Sequence, residues 1–175
     1  MSDVFTSARL VMRPQRVDDA EALHLAYRDV ELMRFWSSGP HASVAETRAY
    51  LAARGGPSPW RGWVMTLAGD DTAIGTLAAG EKRPGVVEIG YLLARAHWGQ
   101  GYAREGVSRL LDLLFREEGA RRVFADTDPE NDASNRLLRS LGFTLEGVLR
   151  GEWETHIGVR DTNLWGLLLP EWLDR

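Results

Sequence analysis

The segment His97-Trp98-Gly99-Gln100-Gly101-Tyr102-Ala103 lies between an apolar run and a stretch with helical spacing. A helix N-terminus carries unpaired N–H groups and a partial positive charge, so it can hold a phosphate. Glycines there let the backbone approach the anion closely. A tight strand-to-helix connection with no ligand explains a short glycine turn equally well. Gly99-x-Gly101 also opens a dinucleotide fingerprint, with Asp126 as a ribose-binding acid, but Arg104 stands in the place of the third glycine. Glu88, with the same side parity as Gly90 and Leu92, could take a proton directly or through water. A structural carboxylate bonded to a neighbouring element is its competing role. His97 and His156 could titrate usefully, although turn packing suits the first and exposure the second. The four histidines show no metal-ligand spacing and there is no cysteine, so no metal is expected.

These residues need elements to position them. Residues 9–13 alternate around Leu10 and Met12 and read as a first strand. Asp18 is placed to cap a helix bearing Ala22, Leu23, Ala26 and Tyr27 on one face. Ser43 and Glu46 have capping-box spacing and open a second helix to about Ala53. Residues 62–67 and 73–78 form a hairpin about Gly69-Asp70-Asp71, and residues 86–93 form the strongest strand. After the glycine turn, Ala103, Val107, Leu110, Leu111 and Leu114 mark a helix. A strand at 122–127 follows, then a helix at 131–141 closed by Gly142, then strands at 144–148 and 162–169. The order β-α-α-β-β-β-α-β-α-β-β predicts an α+β fold, a mixed, mostly antiparallel central sheet flanked by helices. It lacks the repeated βαβ units of a dinucleotide fold.

With 175 residues, 44% apolar and 26% charged, the chain fits one domain over residues 1–175. The glycine- and proline-rich stretch 55–59 reads as a loop within it. The net charge of −4 argues against binding nucleic acid by bulk charge. No signal-peptide pattern or spanning apolar run is present, so a cytoplasmic protein with no membrane partner is expected. The missing cysteines exclude disulfides and thiolate catalysis. Lys82 is the only lysine.

The strand 87–93, the turn Trp98-Gly99-Gln100-Gly101-Tyr102-Ala103 and the segment Asn131-Asp132-Ala133-Ser134-Asn135…Leu141-Gly142-Phe143 occur in this order and at these distances. Together they resemble the GNAT superfamily of acyl-CoA-dependent N-acyltransferases. The resemblance is nearest to its branch of ribosomal-protein N-terminal alanine acetyltransferases and runs from Ser7 to Arg150. It implies acetyl-CoA as co-substrate, its pyrophosphate wrapped by Trp98, Gly99, Gln100, Gly101, Tyr102 and Ala103, with Arg104 beside them. It implies that the backbone of Tyr91, Leu92, Leu93 and Ala94 pairs with the pantetheine arm. Asn131 and Asn135 would reach the cofactor, with helix capping as the alternative for Asn131. Ser134 matches a family position whose hydroxyl lies near the sulfur. The tyrosine that many members use as an acid is replaced by Leu138. Arg136 and Arg139 are further candidates for the CoA phosphates.

Acyl transfer to an amine needs a base, stabilisation of the thioester oxygen and an exit for the thiolate. A thiol pKa near about 8.5 makes the last need mild. Glu88 as base and Ser134 at the thiol are the catalytic candidates, with Glu152 and Glu154, read as loop residues, behind them. Phe35, Trp36 and Trp153 are candidates for the acceptor pocket, the first two alternatively closing the core. The expected activity is an acetyltransferase acting on a primary amine, a small molecule or a peptide N-terminus, as a monomer or homodimer. A GNAT-like module that binds CoA without turnover is the alternative.

Overall fold

The computed structural model describes residues 4–54 and 58–175, so the loop expected at 55–59 falls largely outside the described residues. Eight strands form one sheet: β1 (Phe5–Thr6), β2 (Leu10–Pro14), β3 (Trp60–Leu67), β4 (Ala73–Arg83), β5 (Val86–Leu93), β6 (Arg122–Thr127), β7 (Thr144–Thr155) and β8 (Gly158–Leu168). Their order in the sheet is β1-β2-β3-β4-β5-β6-β8-β7. Every pairing is antiparallel except β5 with β6, which is parallel. A parallel pair needs a crossover, and the helix after the glycine turn, α4 (Tyr102–Asp112), supplies it.

The period of two along the central strands sends alternate side chains into two cores. On β3, Trp63 and Met65 join Val107, Leu110 and Leu111 of α4, whereas Val64 joins Leu23 and Tyr27 of α1 (Ala20–Tyr27). On β5, Val87, Ile89 and Leu93 face the α4 side, and Leu92 faces the α1 side. Two more helices of the first half, α2 (Val30–Met33) and α3 (Val44–Ala53), complete the α1 layer with Met33 and Leu51. The helix α5 (Asp132–Ser140) puts Leu138 into the α4 core, and α6 (Leu169–Leu173) adds Trp172. Among the described residues, no helix is long and apolar enough to cross a membrane.

Three local expectations are corrected. Asp18 does not cap α1; a 3-10 turn at Val17–Asp19 precedes the helix, and Asp18 accepts from Arg48 Nη1 at 3.2 Å. Its neighbour Asp19, at the helix start, is held instead by Arg13 Nη2 at 2.7 Å in a buried ion pair. At α3, the Ser43 hydroxyl accepts from the Glu46 N–H at 3.2 Å, but the Glu46 carboxylate accepts from Ala42 N–H at 2.7 Å. The capping box is therefore half formed. Finally, Glu152, Trp153 and Glu154 lie on β7, not in a loop, because β7 and β8 extend into one long hairpin. The short elements β1, α2 and α6 are additions to the expected order.

The parallel pairing of β5 and β6 covers only Val86↔Arg122, Val87↔Val123 and Glu88↔Phe124. Beyond Glu88 the two strands part, while β6 stays paired to β8 as far as Thr127↔Asn163. Asn135 of α5 is fixed beside the far end of β6. Its Oδ1 accepts from Thr127 Oγ1 at 2.6 Å, Trp165 Nε1 at 3.0 Å and Asn163 Nδ2 at 3.2 Å. Its Nδ2 donates to the carbonyls of Asp128 and Pro129 at 3.1 and 3.2 Å. Buried polar groups joined in this way rigidify a site, and deleting one member strands the others. Asn135→Ala is therefore expected to cost about 2 kcal/mol or more of unfolding free energy. An unchanged urea midpoint would show that the network does not hold α5.

Candidate active site

The opening between β5 and β6 is the floor of a cleft of about 1430 Å³. Its walls come from the glycine turn and the start of α4, the start of α5, the turn after α2, and the β7–β8 hairpin. Parting the strands leaves the β6-facing edge of β5 beyond Glu88 without a strand partner. Unpaired edge backbone is a ready partner for an extended ligand.

At one end, Gly99 and Gly101 have φ values of +73° and +81°, a region that disfavours residues with a Cβ. A Cβ on Gly99 would meet nothing within 4 Å, so it is backbone conformation and not packing that calls for glycine there. Gly101 is the N-cap of α4, and no side chain caps the helix. The first amides of a long helix thus face the cleft uncapped, with the positive end of its dipole. Arg9 braces this turn. Its Nη1 donates to Gln100 O at 3.1 Å and its Nε to Glu105 at 2.7 Å, and its guanidinium lies 4.6 Å from the Tyr102 ring centroid. Ser7 Oγ also donates to Glu105 at 2.7 Å. These donors hold the Glu105 carboxyl below its usual value against the opposing effect of burial.

Trp98 anchors the turn to the sheet. Its Nε1 donates to Leu93 O at 2.7 Å, and Arg95 stacks on its outer face at 4.8 Å. Arg95 in turn makes two bonds of 2.7 Å to Asp29, which caps α2. Burial works against this carboxylate, but the Arg95 hydrogen bond dominates and its pKa falls to about 2. The turn is thereby tied to both helical layers.

The side chains of Glu88 and Ser134 both line the cleft. Glu88, on β5, pairs with Lys82 Nζ at 2.9 Å. Burial raises its pKa above the ordinary carboxylate value; Lys82 opposes this and Asp126 adds to it. Ser134, in the first turn of α5, has its hydroxyl 2.5 Å from the Tyr91 hydroxyl. Asn131 lines the cleft while its side chain caps α5, accepting from Ser134 N–H at 3.2 Å. Tyr91, Leu92, Leu93, Trp98, Gly99, Gly101, Tyr102, Ala103 and Arg104 also line it, as does Arg136. Phe35 and Trp36, after α2, and Trp153, on β7, line it as well. Trp36 does two jobs, since it also packs on the α1 core and donates to Tyr50 Oη at 3.2 Å.

Several residues named from the sequence lie outside the cleft lining. Asn135 turns inward to its network and does not line the cleft. Ala94 donates its N–H to Ile74 O at 2.9 Å and its carbonyl accepts from His97 N–H at 2.9 Å, so its amide is already committed to the fold. Gln100 turns its side chain back toward Ala96 O at 3.5 Å, outside the lining. Leu138 is fully buried in the core, and it is Leu137 that faces the cleft. Arg139 likewise stacks 5.5 Å from the Trp165 ring and stays outside, as does His156. Two contributors are not evident from the sequence. Arg9 reads there only as the start of a strand, and Asp126 only as a ribose-binding acid. Asp126 lines the cleft and accepts from Trp153 Nε1 at 2.7 Å, and strand parity with Phe124 is the available signal.

Comparison with known proteins gives this geometry a family. Residues 9–144 match the acetyltransferase (GNAT) domain model. The N-acetyltransferase p20 of Bacillus licheniformis, itself uncharacterised, is 31% identical over 180 residues, covering 98% of this chain and 99% of that protein. A GNAT-family acetyltransferase structure from Bacillus anthracis superposes with a TM-score of 0.86 at 23% identity, over 95% of this chain and 99% of that one. Spermidine N-acetyltransferase from Vibrio cholerae, solved with CoA and spermine, superposes at 0.80 and 22% identity, over 95% and 99%. These relatives do not favour a binding module without turnover. A sheet parted beside an uncapped glycine turn, matched by the domain model over most of its length, makes this chain a member of the GNAT superfamily of acyl-CoA-dependent acetyltransferases.

Proposed function

We propose that the chain, as one domain over residues 1–175, transfers acetyl from acetyl-CoA to a primary amine by direct attack in a ternary complex. The acceptor is a peptide N-terminus or a small amine, and the motifs favour the ribosomal-protein N-terminal alanine acetyltransferase branch. The observation that carries the reading is the parting of β5 from β6 next to the uncapped start of α4. An extended pantetheine arm fits along the open edge of β5, with the pyrophosphate at the α4 amides. Arg104 and Arg136 are at hand for further phosphates.

The amine nitrogen forms a bond to the thioester carbonyl carbon, the C–S bond breaks, and its electron pair leaves on sulfur. With no cysteine in the chain, no acyl-cysteine intermediate intervenes. The parity of β5 sets the roles on either side of the reacting carbon. Glu88 shares the strand face of Leu92, toward the α1 layer and the Phe35–Trp36 wall. It takes the proton from the attacking amine, directly or through water. Ser134 approaches from α5, on the face of Val87 and Ile89, where the sulfur departs. Trp153, Phe35 and Trp36 offer apolar surface to the acceptor.

Two substitutions test the reading. Gly101→Val should weaken CoA binding by at least about tenfold in calorimetry, through lost amide contacts and a strained φ. Unchanged affinity would remove the turn from the site. Glu88→Gln should lower kcat by about a hundredfold in a thiol-release assay with an amine panel. The wild-type rate should fall as pH drops through the raised Glu88 pKa, because the protonated carboxyl accepts nothing. The variant should lose that acidic limb, and an unaltered profile would return Glu88 to a structural role.

A further inference from the structure

Side chains from β5 and α5 meet across the opening of the cleft. Tyr91 Oη from β5 and Ser134 Oγ from α5 lie 2.5 Å apart, beyond the last paired residues of β5 and β6. Tyr91 is opposite Leu77 of β4 and packs against the α4 core, so its ring is held in place by sheet register. Ser134 is held as firmly, with its N–H on the capping Asn131. A phenol is the stronger acid and the poorer acceptor of the two, because its oxygen lone pair is shared with the ring. Burial pushes the Tyr91 pKa up to about 12, against the smaller opposing effect of Ser134, so the phenol stays protonated. Either hydroxyl could donate on geometry alone, and this chemistry favours Tyr91 as donor and Ser134 as acceptor. The Ser134 proton is then free to point into the cleft, and a hydroxyl that accepts one hydrogen bond is a better donor in the next.

We propose that Tyr91 is a positioning residue that fixes the Ser134 hydroxyl as the hydrogen-bond donor to the departing sulfur. The proposal rests on the acetyl-transfer reading above. In the balanced step, the amine nitrogen bonds to the carbonyl carbon, the C–S electron pair goes to sulfur, and the amine proton goes to Glu88. Ser134 stabilises the thiolate without giving up its proton, and Tyr91 remains a neutral phenol throughout. The chain thus draws its tyrosine from the central strand. Position 138, the helix position at which the resemblance places a tyrosine in many relatives, holds a leucine that faces the core and cannot serve.

The test is a set of variants, Tyr91→Phe, Ser134→Ala and the double change, assayed by thiol release from acetyl-CoA with an accepted amine. Tyr91→Phe keeps the ring and removes only the hydroxyl. It should lower kcat about tenfold with the KM for acetyl-CoA within about twofold. Ser134→Ala should do the same, and the double variant should be no slower than either single one, because the two hydroxyls act as a unit. The acidic limb of the rate profile should persist in all three, and their melting temperatures should stay close to wild type. Wild-type kcat in Tyr91→Phe, or losses that multiply in the double variant, would overturn the proposal while leaving acetyl transfer intact. A raised KM for acetyl-CoA with kcat unchanged would overturn it too, reducing Tyr91 to a wall of the site. Absence of wild-type turnover with every amine would instead sink the acetyl-transfer reading itself.

Discussion

The structure turns on where one parallel strand pair stops. β5 and β6 share three residue pairs and then diverge, and each flank of the sheet is otherwise antiparallel and continuous. A sheet interior rarely leaves backbone groups unpaired, because an unpaired buried amide or carbonyl costs free energy. The open edge of β5 is tolerated here because a cleft lies alongside it. The same divergence admits α5 beside β6, while the period of two along β5 sets Glu88 and Tyr91 on opposite faces of that strand.

Several polar ties keep the opening in shape. Asn135 joins α5 to β6 and β8, Arg9 and Glu105 join the glycine turn to the N-terminal strand region, and Arg95 with Asp29 joins that turn to α2. Exposed ion pairs contribute little to stability one at a time. Their value here is geometric, since each connects a segment at the rim to an element with its own buried core. The uncapped amides of α4 are consequently presented by a turn that is fixed at both ends.

Legibility followed periodicity and backbone chemistry. The glycines at 99 and 101 were readable because a left-handed backbone selects the residue type locally. Strand β5 was readable as an apolar run interrupted only by Glu88 and Gly90, which is close to what a strand covered on both faces looks like. By contrast β7 is exposed along almost its whole length. With no face to bury, it shows no alternation, so its second half has the look of a loop and Glu152 and Glu154 are misplaced by a reading of the chain alone. The helices α2 and α6 span 4 and 5 residues, too short to display a helical period.

The sequence by itself determined the order of the longer elements, the glycine turn, the strand that carries Glu88 and the exclusion of cysteine chemistry, because each depends on residue type or near-neighbour spacing. Tertiary structure alone decided that Asn135 serves the scaffold, that Leu138 faces the core, that Trp98 reaches back to Leu93 O, and that Tyr91 meets Ser134. Tyr91 and Ser134 are 43 residues apart, and their contact depends on how far β5 and β6 diverge and on the rotation of α5. Neither quantity leaves a local trace in the chain. A side chain's partner is set by packing between elements, and only the assembled sheet fixes that.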